Sequence, residues 1–259
     1  MVWSVQKGAL ALEPETFSLL VLLGVVPAFA GVALLAIGLR DIERPKDQRP
    51  SRPRLSLRGF DSSFLRFLAA IVLFTLGNSS DSFLVLRAQE RGLSVAGILG
   101  MLVAFNVVYA ALSAPAGRFS DLLGRKKVIA AGWLFYSILY LGFALAEESW
   151  HVVVLFTLYG IYYGLVEGVA RAFVADLVPD PGKLGGAYGL YHAAVGAAAL
   201  PASLFAGILW QGAGGFGGFG PRAPFFAGAA LALLATLLLL SIPPVLSSNA
   251  GREQENATA

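Results

Sequence analysis

The hydropathy pattern of this 259-residue chain consists of seven long apolar segments separated by polar ones. The apolar segments are residues 17–39, 64–86, 93–116, 128–146, 152–175, 184–210 and 223–246. Each is close to the roughly 20 apolar residues that a helix needs to cross the hydrocarbon core of a bilayer. The pattern therefore predicts an all-α integral membrane protein with seven transmembrane helices.

The last two predicted spans are longer than a straight crossing requires, so each needs tilt, a kink or ends outside the hydrocarbon. Pro201 predicts a kink in the sixth span, and Pro243 with Pro244 predicts the end of the seventh. Small residues recur every four positions in the sixth span, which predicts close approach of a neighbouring helix. These small residues are Gly185, Gly189, Ala193 and Ala197.

Composition supports a membrane protein and excludes several other classes. Hydrophobic residues make up 57% of the chain and charged residues only 14%, against about 25% in soluble domains. The cations lie in loops and not along one helical face, so the net charge of +3 does not indicate nucleic-acid binding. Cysteine is absent, which excludes disulfides and thiolate metal sites. We expect neither a metal nor a cofactor.

The distribution of Lys and Arg between the polar segments predicts the orientation in the cell membrane. If residues 117–127 are cytoplasmic, only four of the 19 cations fall on the other side. These four are Lys7, Arg87, Arg91 and Arg222. The amino terminus is therefore predicted outside and the carboxyl terminus inside.

The polar segments divide the chain further. Residues 1–16 form an external amino-terminal segment, and residues 247–259 a disordered cytoplasmic tail. Residues 40–63, rich in Arg and Pro, form a cytoplasmic linker between the first span and the six that follow. The linker is predicted to be a solvated tether that can also contact anionic lipid headgroups.

Polar residues inside the spans recur with a period of three helices. The first, fourth and seventh spans contain no charged residue. The others carry polar or charged residues, which are Asn78, Asp81, Asn106, Tyr109, Tyr163, Glu167, Arg171, Tyr191 and His192. Charges inside a membrane are costly and face a cavity or a partner. Every third helix is therefore predicted to face lipid, and the others a cavity.

Residues 117–127 carry the motif most typical of a known family. Their sequence is Gly-Arg-Phe-Ser-Asp-Leu-Leu-Gly-Arg-Lys-Lys, between two uncharged spans. It resembles the signature loop of the major facilitator superfamily, Gly-x-x-x-Asp-Arg/Lys-x-Gly-Arg/Lys-Arg/Lys. The matching residues are Gly117, Asp121, Gly124, Arg125 and Lys126, whereas Leu122 replaces the first cation. Residues 159–179 and 189–203 are also similar to a bacterial branch of this superfamily.

The resemblance implies a fold and an activity. Superfamily members have twelve helices in two six-helix halves, and they transport small solutes by alternating access. With the signature loop between helices eight and nine, the seven spans correspond to helices six to twelve. Residues 17–39 then form helix six, and residues 64–246 the carboxyl-terminal six-helix bundle. Helices six, nine and twelve are peripheral in the superfamily, and the first, fourth and seventh spans, which lack charged residues, fall on these positions.

The resemblance also implies partners. A single bundle provides one wall of the transport site, so the chain is expected to be a truncated product, a gene fragment or a half-transporter. Its partners would be the lipid bilayer, a small-molecule substrate, and the missing amino-terminal half or a second copy. Proton coupling is left open. In the superfamily the signature loop acts as a cytoplasmic latch that holds the outward-open state.

Asn78 and Asp81 lie three residues apart, so they are predicted to share one face of the second span. Asp81 either binds substrate or carries a proton, or it is a polar residue near the external mouth that is hydrogen-bonded to a neighbouring helix. Both interpretations remain open. Asp81 and Glu167 are not expected to contact each other directly, because the two lie at different depths.

Glu167 and Arg171 are spaced for an ion pair within one helix. The pair is either structural, or a gate that breaks during transport. His192 either hydrogen-bonds another helix or relays protons. Tyr159, Tyr162 and Tyr163 contribute packing or contact a substrate.

In the signature loop, Gly117 is predicted to allow a sharp helix exit and Gly124 a close turn. Asp121 is predicted to accept a hydrogen bond from Arg125 or from a helix N-terminus. Asp180, followed by Pro181, is predicted to cap the sixth span.

Two other protein classes are consistent with seven spans, but the residues within the spans do not favour them. A seven-helix receptor or sensor would have the same termini, yet none of the predicted spans contains the lysine that retinal binding requires. An intramembrane enzyme needs convergent acids and histidines at one depth, and the two histidines and scattered acids do not supply such a set. We therefore expect a transporter or its non-transporting remnant, not an enzyme.

Overall fold

The computed structural model describes residues 14–38, 56–79 and 81–243. Within these ranges it contains eight helices. They are α1 (Pro14–Gly38), α2 (Ser62–Gly77), α3 (Ser82–Glu90), α4 (Val95–Leu123), α5 (Arg125–Leu145), α6 (Ser149–Leu177), α7 (Pro181–Gln211) and α8 (Ala223–Leu240). The predicted tail and most of the predicted external segment and linker lie outside the described residues.

The prediction of seven transmembrane helices is confirmed. Seven stretches are long enough and apolar enough to cross a membrane, and six of them are continuous helices within the described residues. The second of these stretches, Ser62–Glu90, comprises both α2 and α3. Helix α8 ends at Leu240, before Pro243 and six residues earlier than the segment 223–246 predicted.

Short polar side chains determine where several helices begin. The carboxylate of Asp61 accepts a hydrogen bond from the Ser63 amide at the start of α2. Ser94 accepts one from the Gly97 amide at the start of α4. The predicted cap of the sixth span is confirmed, because Asp180 accepts a 2.9 Å hydrogen bond from the amide of Gly182 at the start of α7. Such caps satisfy amides that have no partner inside the helix.

The second span is broken, and the prediction that Asn78 and Asp81 share one helical face is wrong. Helix α2 ends at Gly77 with Asn78 as its C-cap, and α3 starts after Asp81. At the break, α2 packs against Gly228 of α8 so closely that a Cβ atom on Gly77 would lie 3.0 Å from the Gly228 carbonyl oxygen. Asn78, Ser79 and Asp81 therefore lie in neither helix, and we call these described residues between α2 and α3 the unwound segment.

Helix α5 supplies much of the core while exposing only apolar side chains between Val128 and Leu145. Its side chains Trp133, Tyr136 and Tyr140 are fully buried. Its outward stripe consists of Ala131, Leu134, Ile138, Leu141 and Leu145. The exposed side chains of α8 between Ala223 and Leu240 are likewise all apolar. The outer surfaces of the fourth and seventh spans are thus suited to lipid contact, although the inner face of α5 carries the hydroxyls of Tyr136, Ser137 and Tyr140.

Small residues bring helices together along α6, but not along the ladder predicted in α7. A Cβ atom on Gly160 would lie 2.6 Å from the carbonyl oxygen of Phe105 on α4, and one on Gly164 would lie 2.9 Å from Leu112 Cβ. By contrast, a Cβ atom on Gly185 of α7 would meet nothing within 4 Å. The ladder predicted in the sixth span therefore faces outward from the described residues, and the closely packed pair is α4 and α6.

Candidate functional site

The unwound segment between α2 and α3 is held by tyrosines of two other helices. The Tyr159 hydroxyl of α6 lies 3.2 Å from both Asn78 Oδ1 and Asp81 Oδ1. The Tyr163 hydroxyl lies 3.5 Å from Asp81 Oδ2. On α5, the Tyr136 hydroxyl lies 3.2 Å from the carbonyl oxygen of Gly77 and 3.3 Å from Asn78 Oδ1. The break thus presents oxygen acceptors to phenol hydroxyls.

These tyrosines belong to a packed aromatic cluster in the middle of the fold. The rings of Tyr136 and Tyr140 stack with centroids 4.1 Å apart, and Tyr159 stacks on Tyr162 at 5.5 Å. Sequence analysis missed Tyr136 and Tyr140 because their span contains no charge. Their spacing of four residues, which places both on one helical face, was the available signal.

The predicted ion pair between Glu167 and Arg171 is confirmed. Arg171 Nη2 lies 2.9 Å from Glu167 Oε1, and the other carboxylate oxygen accepts a 2.6 Å hydrogen bond from Tyr109 on α4. The backbone carbonyl of Arg171 accepts a hydrogen bond from Tyr188 on α7. The pair therefore joins three helices, and its side chains remain 43% and 46% exposed.

Aromatic side chains connect the Asp81 region with the Glu167 region. The Tyr163 ring lies 6.0 Å from the Tyr109 ring and 5.4 Å from the Phe105 ring, both edge-on. The two acids are thus linked through tyrosines and not directly.

Asn106 and His192 lie on exposed surfaces of α4 and α7. Asn106 donates a 2.8 Å hydrogen bond to the carbonyl oxygen of Leu102 in its own helix. The imidazole of His192 lies edge-on to the ring of Tyr191 at 5.1 Å. Tyr191 in turn stacks on Phe67 of α2 at 6.4 Å. Neither Asn106 nor His192 has a hydrogen bond to another helix within the described part of the chain.

The signature segment is mostly helical. Helix α4 continues to Leu123 and α5 starts at Arg125, so the prediction of a sharp helix exit at Gly117 is wrong. The turn is made by Gly124 alone, with φ of +92°, a conformation that glycine adopts without strain. A Cβ atom on Gly117 would meet nothing within 4 Å, so no close contact with another helix requires glycine at this position.

The charged side chains of the signature segment make contacts across the turn. The predicted interaction of Asp121 with Arg125 is confirmed at 3.2 Å, and Arg125 also pairs with Asp176 of α6. Lys126 donates hydrogen bonds to the carbonyl oxygens of Leu240, at 2.9 Å, and Ile242, so it caps the end of α8. A cavity of about 150 Å³ lies between α4 and α6, lined in part by Ser113, Gly117, Asp121, Arg125 and Gly168.

Arg87 is a further buried polar residue that sequence analysis assigned only to the external side. Its side chain is fully buried. The guanidinium donates hydrogen bonds to the carbonyl oxygens of Phe143, Ala144 and Ala146 at 2.9–3.2 Å, and it pairs with Glu90. Arg87 thus fastens α3 to the end of α5, where helix carbonyls lack partners within their own helix.

Comparison with known proteins places this arrangement in a family. The family model described as Major Facilitator Superfamily matches residues 63–258. An uncharacterized MFS-type transporter of Methanocaldococcus jannaschii is 35% identical over 195 residues, which are 73% of this chain and 47% of the relative. Multidrug resistance protein 2 of Bacillus subtilis is 34% identical over 146 residues, 54% of this chain and 33% of the relative.

A third relative is more distant. The puromycin resistance protein pur8 of Streptomyces alboniger is 26% identical over 145 residues, which are 56% of this chain and 29% of the relative. The chain therefore spans less than half the length of each of these three relatives.

Proposed function

The chain belongs to the Major Facilitator Superfamily, and on this basis we propose that it forms one six-helix wall, with a preceding helix, of a secondary transporter for small solutes. Members of this superfamily are transporters. The proposed mechanism is alternating access, in which two bundles rock about a site near the midplane. The facing wall would be a complementary amino-terminal bundle or a second copy of the chain.

The observation that carries the proposal is the separation of exposed polar and apolar side chains. Asn106, Glu167, Arg171 and His192 are exposed on α4, α6 and α7, whereas the exposed stripes of α5 and α8 are apolar within their spans. An exposed charge in a membrane is costly unless it faces water or another protein. This distribution supports a cavity wall formed by α4, α6 and α7.

We assign the solute-facing roles within this wall as follows. Asp81 and Tyr163, both half-buried, would contact solute or a coupling proton where the second span unwinds. Glu167 and Arg171 would form a pair that can separate as the bundles rock. Asn106, Tyr191 and His192 would border the same cavity. The names of the drug-resistance relatives favour an organic solute.

The signature segment would act as the cytoplasmic latch. Arg125 bridges Asp121 of α4 and Asp176 of α6, so it holds the cytoplasmic ends of these two helices together. We infer that Gly117, Gly124 and Lys126 keep this end compact while the latch opens and closes. The exposed Leu122, at a position where the family motif has a cation, would weaken the contact to a facing bundle.

Single-cysteine labelling tests the cavity, because the chain has no native cysteine. We expect a membrane-impermeant maleimide to modify Asn106→Cys and His192→Cys in membranes, since both would face water. The matched positions Ile138→Cys and Leu234→Cys, on the apolar stripes, should remain unmodified. Labelling of the second pair without the first would contradict the proposal.

Labelling also tests the proposed orientation. In intact cells the reagent should modify Ala213→Cys, in the connection between α7 and α8, from outside. Lys127→Cys should react only after permeabilisation, because its segment would be cytoplasmic. The opposite result would invert the topology and place the signature segment outside.

Transport itself requires a direct measurement. In cells that express the gene product, efflux or uptake of solutes from an organic panel should be at least about tenfold slower in Asp81→Asn and Glu167→Gln variants. Glu147→Gln, an exposed carboxyl near the other end of α6, should keep the parental rate. The 259-residue chain alone in liposomes should not transport at an ordinary rate until a second bundle is supplied.

A further inference from the structure

The carboxyl-terminal end of α4 carries a surface concavity that the proposed solute wall does not use. Its volume is about 360 Å³, and we call it the α4 groove. The residues that line it all belong to α4, and they are Ala114, Pro115, Arg118, Phe119 and Leu122. Phe119 is 55% exposed and Leu122 is 83% exposed. Apart from Arg118, the α4 groove therefore offers apolar surface to whatever covers it.

The α4 groove faces away from the solute wall. Successive residues of an α-helix are about 100° apart around its axis, because 3.6 residues make one turn. Pro115 is nine positions after Asn106 and therefore lies about 180° from it around α4. Leu122, sixteen positions after Asn106, lies about 160° from it. Since Asn106 belongs to the solute wall, the α4 groove is on nearly the opposite side of the helix, which favours lipid as its neighbour.

The depth of the α4 groove matches the headgroup region. Helix α4 has 29 residues, and at 1.5 Å per residue its length is about 44 Å. A bilayer with its headgroup regions is about 40–45 Å thick. The last turns of α4 therefore lie at the level of the headgroups. From Arg118, about 8 Å before the end of the helix, a long side chain can cover apolar surface and still place its charge among the headgroups.

Arg118 has no counter-charge within the described part of the chain. It makes no ion pair there, whereas Arg125 pairs with Asp121 and Asp176. Residues 117–127 contain four cations and a single acid, Asp121, which Arg125 already engages. The surface around the α4 groove is therefore positive, and it favours a negatively charged partner.

We propose that the α4 groove binds one anionic phospholipid. The phosphate would lie at Arg118, and the upper part of one acyl chain would lie along Pro115 and Phe119. An open groove on one helix cannot enclose a soluble ligand as a pocket does, whereas a lipid is already held beside α4 by the bilayer. Basic sites next to transmembrane helices select anionic headgroups in this way.

The proposal is independent of transport. Only the choice of leaflet, which is the cytoplasmic one, rests on the proposed orientation of the chain. Lipid binding is measured without a solute or a second bundle. A failure of the lipid proposal would therefore leave the transporter proposal untouched.

Native mass spectrometry of the purified chain, released from detergent, tests the headgroup preference. Phosphatidylglycerol should bind about tenfold more tightly than phosphatidylcholine with the same acyl chains, and it should saturate at one molecule per chain. Glycerol phosphate without acyl chains should not bind at these concentrations, which separates a phospholipid site from a free phosphate site. Equal binding of the two phospholipids would overturn the proposal.

Variants assign the preference to the α4 groove. Arg118→Gln should lower the affinity for phosphatidylglycerol to that for phosphatidylcholine. Arg66→Gln, which removes an exposed cation from α2, should keep the parental preference. Phe119→Ser should weaken the binding of both lipids, whereas Leu123→Ser, 60% exposed and outside the α4 groove, should not. A preference that survives in Arg118→Gln would contradict the assignment.

Photolabelling locates the bound lipid. In nanodiscs, a phosphatidylglycerol with a photoreactive acyl chain should modify residues 114–122, and unlabelled phosphatidylglycerol should compete better than phosphatidylcholine. Modification confined to other helices would overturn the proposal. So would efficient disulfide formation between two copies of Leu122→Cys, because a second copy and not a lipid would then cover the α4 groove.

Discussion

The hydroxyl of Tyr109 on α4 donates a 2.6 Å hydrogen bond to the carboxylate of Glu167 on α6. The same carboxylate pairs with Arg171, so one exposed charge pair is tied to a neighbouring helix. A pair that was expected to be internal to one helix is therefore part of the contact between two. This contact lies beside the glycines at which α4 and α6 approach most closely.

Tyr109→Phe should weaken this contact without altering the ion pair. Loss of a hydrogen bond to a partly exposed charge should lower the free energy of unfolding by about 1 kcal/mol. The measurement is chemical or thermal unfolding in detergent. Tyr191→Phe is the control, because within the described residues the Tyr191 hydroxyl has no hydrogen bond to lose. Equal stability of the parental chain and Tyr109→Phe would show that the bond contributes nothing.

The fold was largely predictable because each membrane span is determined by the apolar residues of its own segment. A run of apolar residues must be helical to satisfy its backbone in lipid, so seven spans follow from hydropathy alone. Asp180 with Pro181 likewise indicates a helix start through local chemistry. The break at Gly77 was missed although its signal is in the sequence, where Gly-Asn-Ser-Ser-Asp-Ser over residues 77–82 interrupts the apolar segment 64–86. The close packing of Gly77 against Gly228 could not be predicted, because Gly228 is distant in sequence.

The candidate site was only partly predictable, for the same reason. Glu167 and Arg171 pair within one helix, so their spacing was sufficient. Arg87 donates hydrogen bonds to carbonyl oxygens at the end of α5, which is distant in sequence. The distribution of Lys and Arg could predict only the side of the membrane on which Arg87 lies. Tyr136 and Tyr140 carry no charge, and their role appears only where α2 unwinds beside them.

Arg87→Met should be strongly destabilising. The substitution leaves the carbonyl oxygens of Phe143, Ala144 and Ala146 without their buried donor and Glu90 with Arg91 as its remaining partner. Breaking a buried ionic contact of this kind costs about 3–5 kcal/mol. Arg87→Lys should lose less, since the charge remains but one ammonium cannot reproduce the guanidinium geometry.

The control for Arg87 is Arg66→Met, which removes an equivalent charge from an exposed position of α2. Its unfolding free energy should stay within about 0.5 kcal/mol of the parental value. Unfolding of all three variants is measured by tryptophan fluorescence in the same detergent. A loss for Arg87→Met no larger than that for Arg66→Met would contradict the inferred role.

Gly160→Ala should separate α4 from α6. The new methyl group would lie 2.6 Å from the backbone oxygen of Phe105, and backbone cannot move aside as a flexible side chain can. Overpacking of this kind costs about 1–3 kcal/mol. Gly168→Ala, two turns further along α6, is the matched control because its Cβ would meet nothing within 4 Å. The two variants should therefore differ in melting temperature, with Gly160→Ala lower, and identical values would show that the helices adjust freely.

Arg125→Gln should loosen the contact between the end of α4 and the end of α6, because Arg125 is the side chain that bridges Asp121 and Asp176. With the bridge removed, the two carboxylates repel each other instead of sharing one cation. We expect amide hydrogen exchange in residues 119–127 to be at least about tenfold faster, which corresponds to roughly 1.4 kcal/mol. Exchange in the distant half of α4, near Ser94, should be unchanged. The control is Arg118→Gln, which removes an exposed cation from the same helix. If both substitutions accelerate exchange equally, net charge and not the bridge would determine the stability of this end.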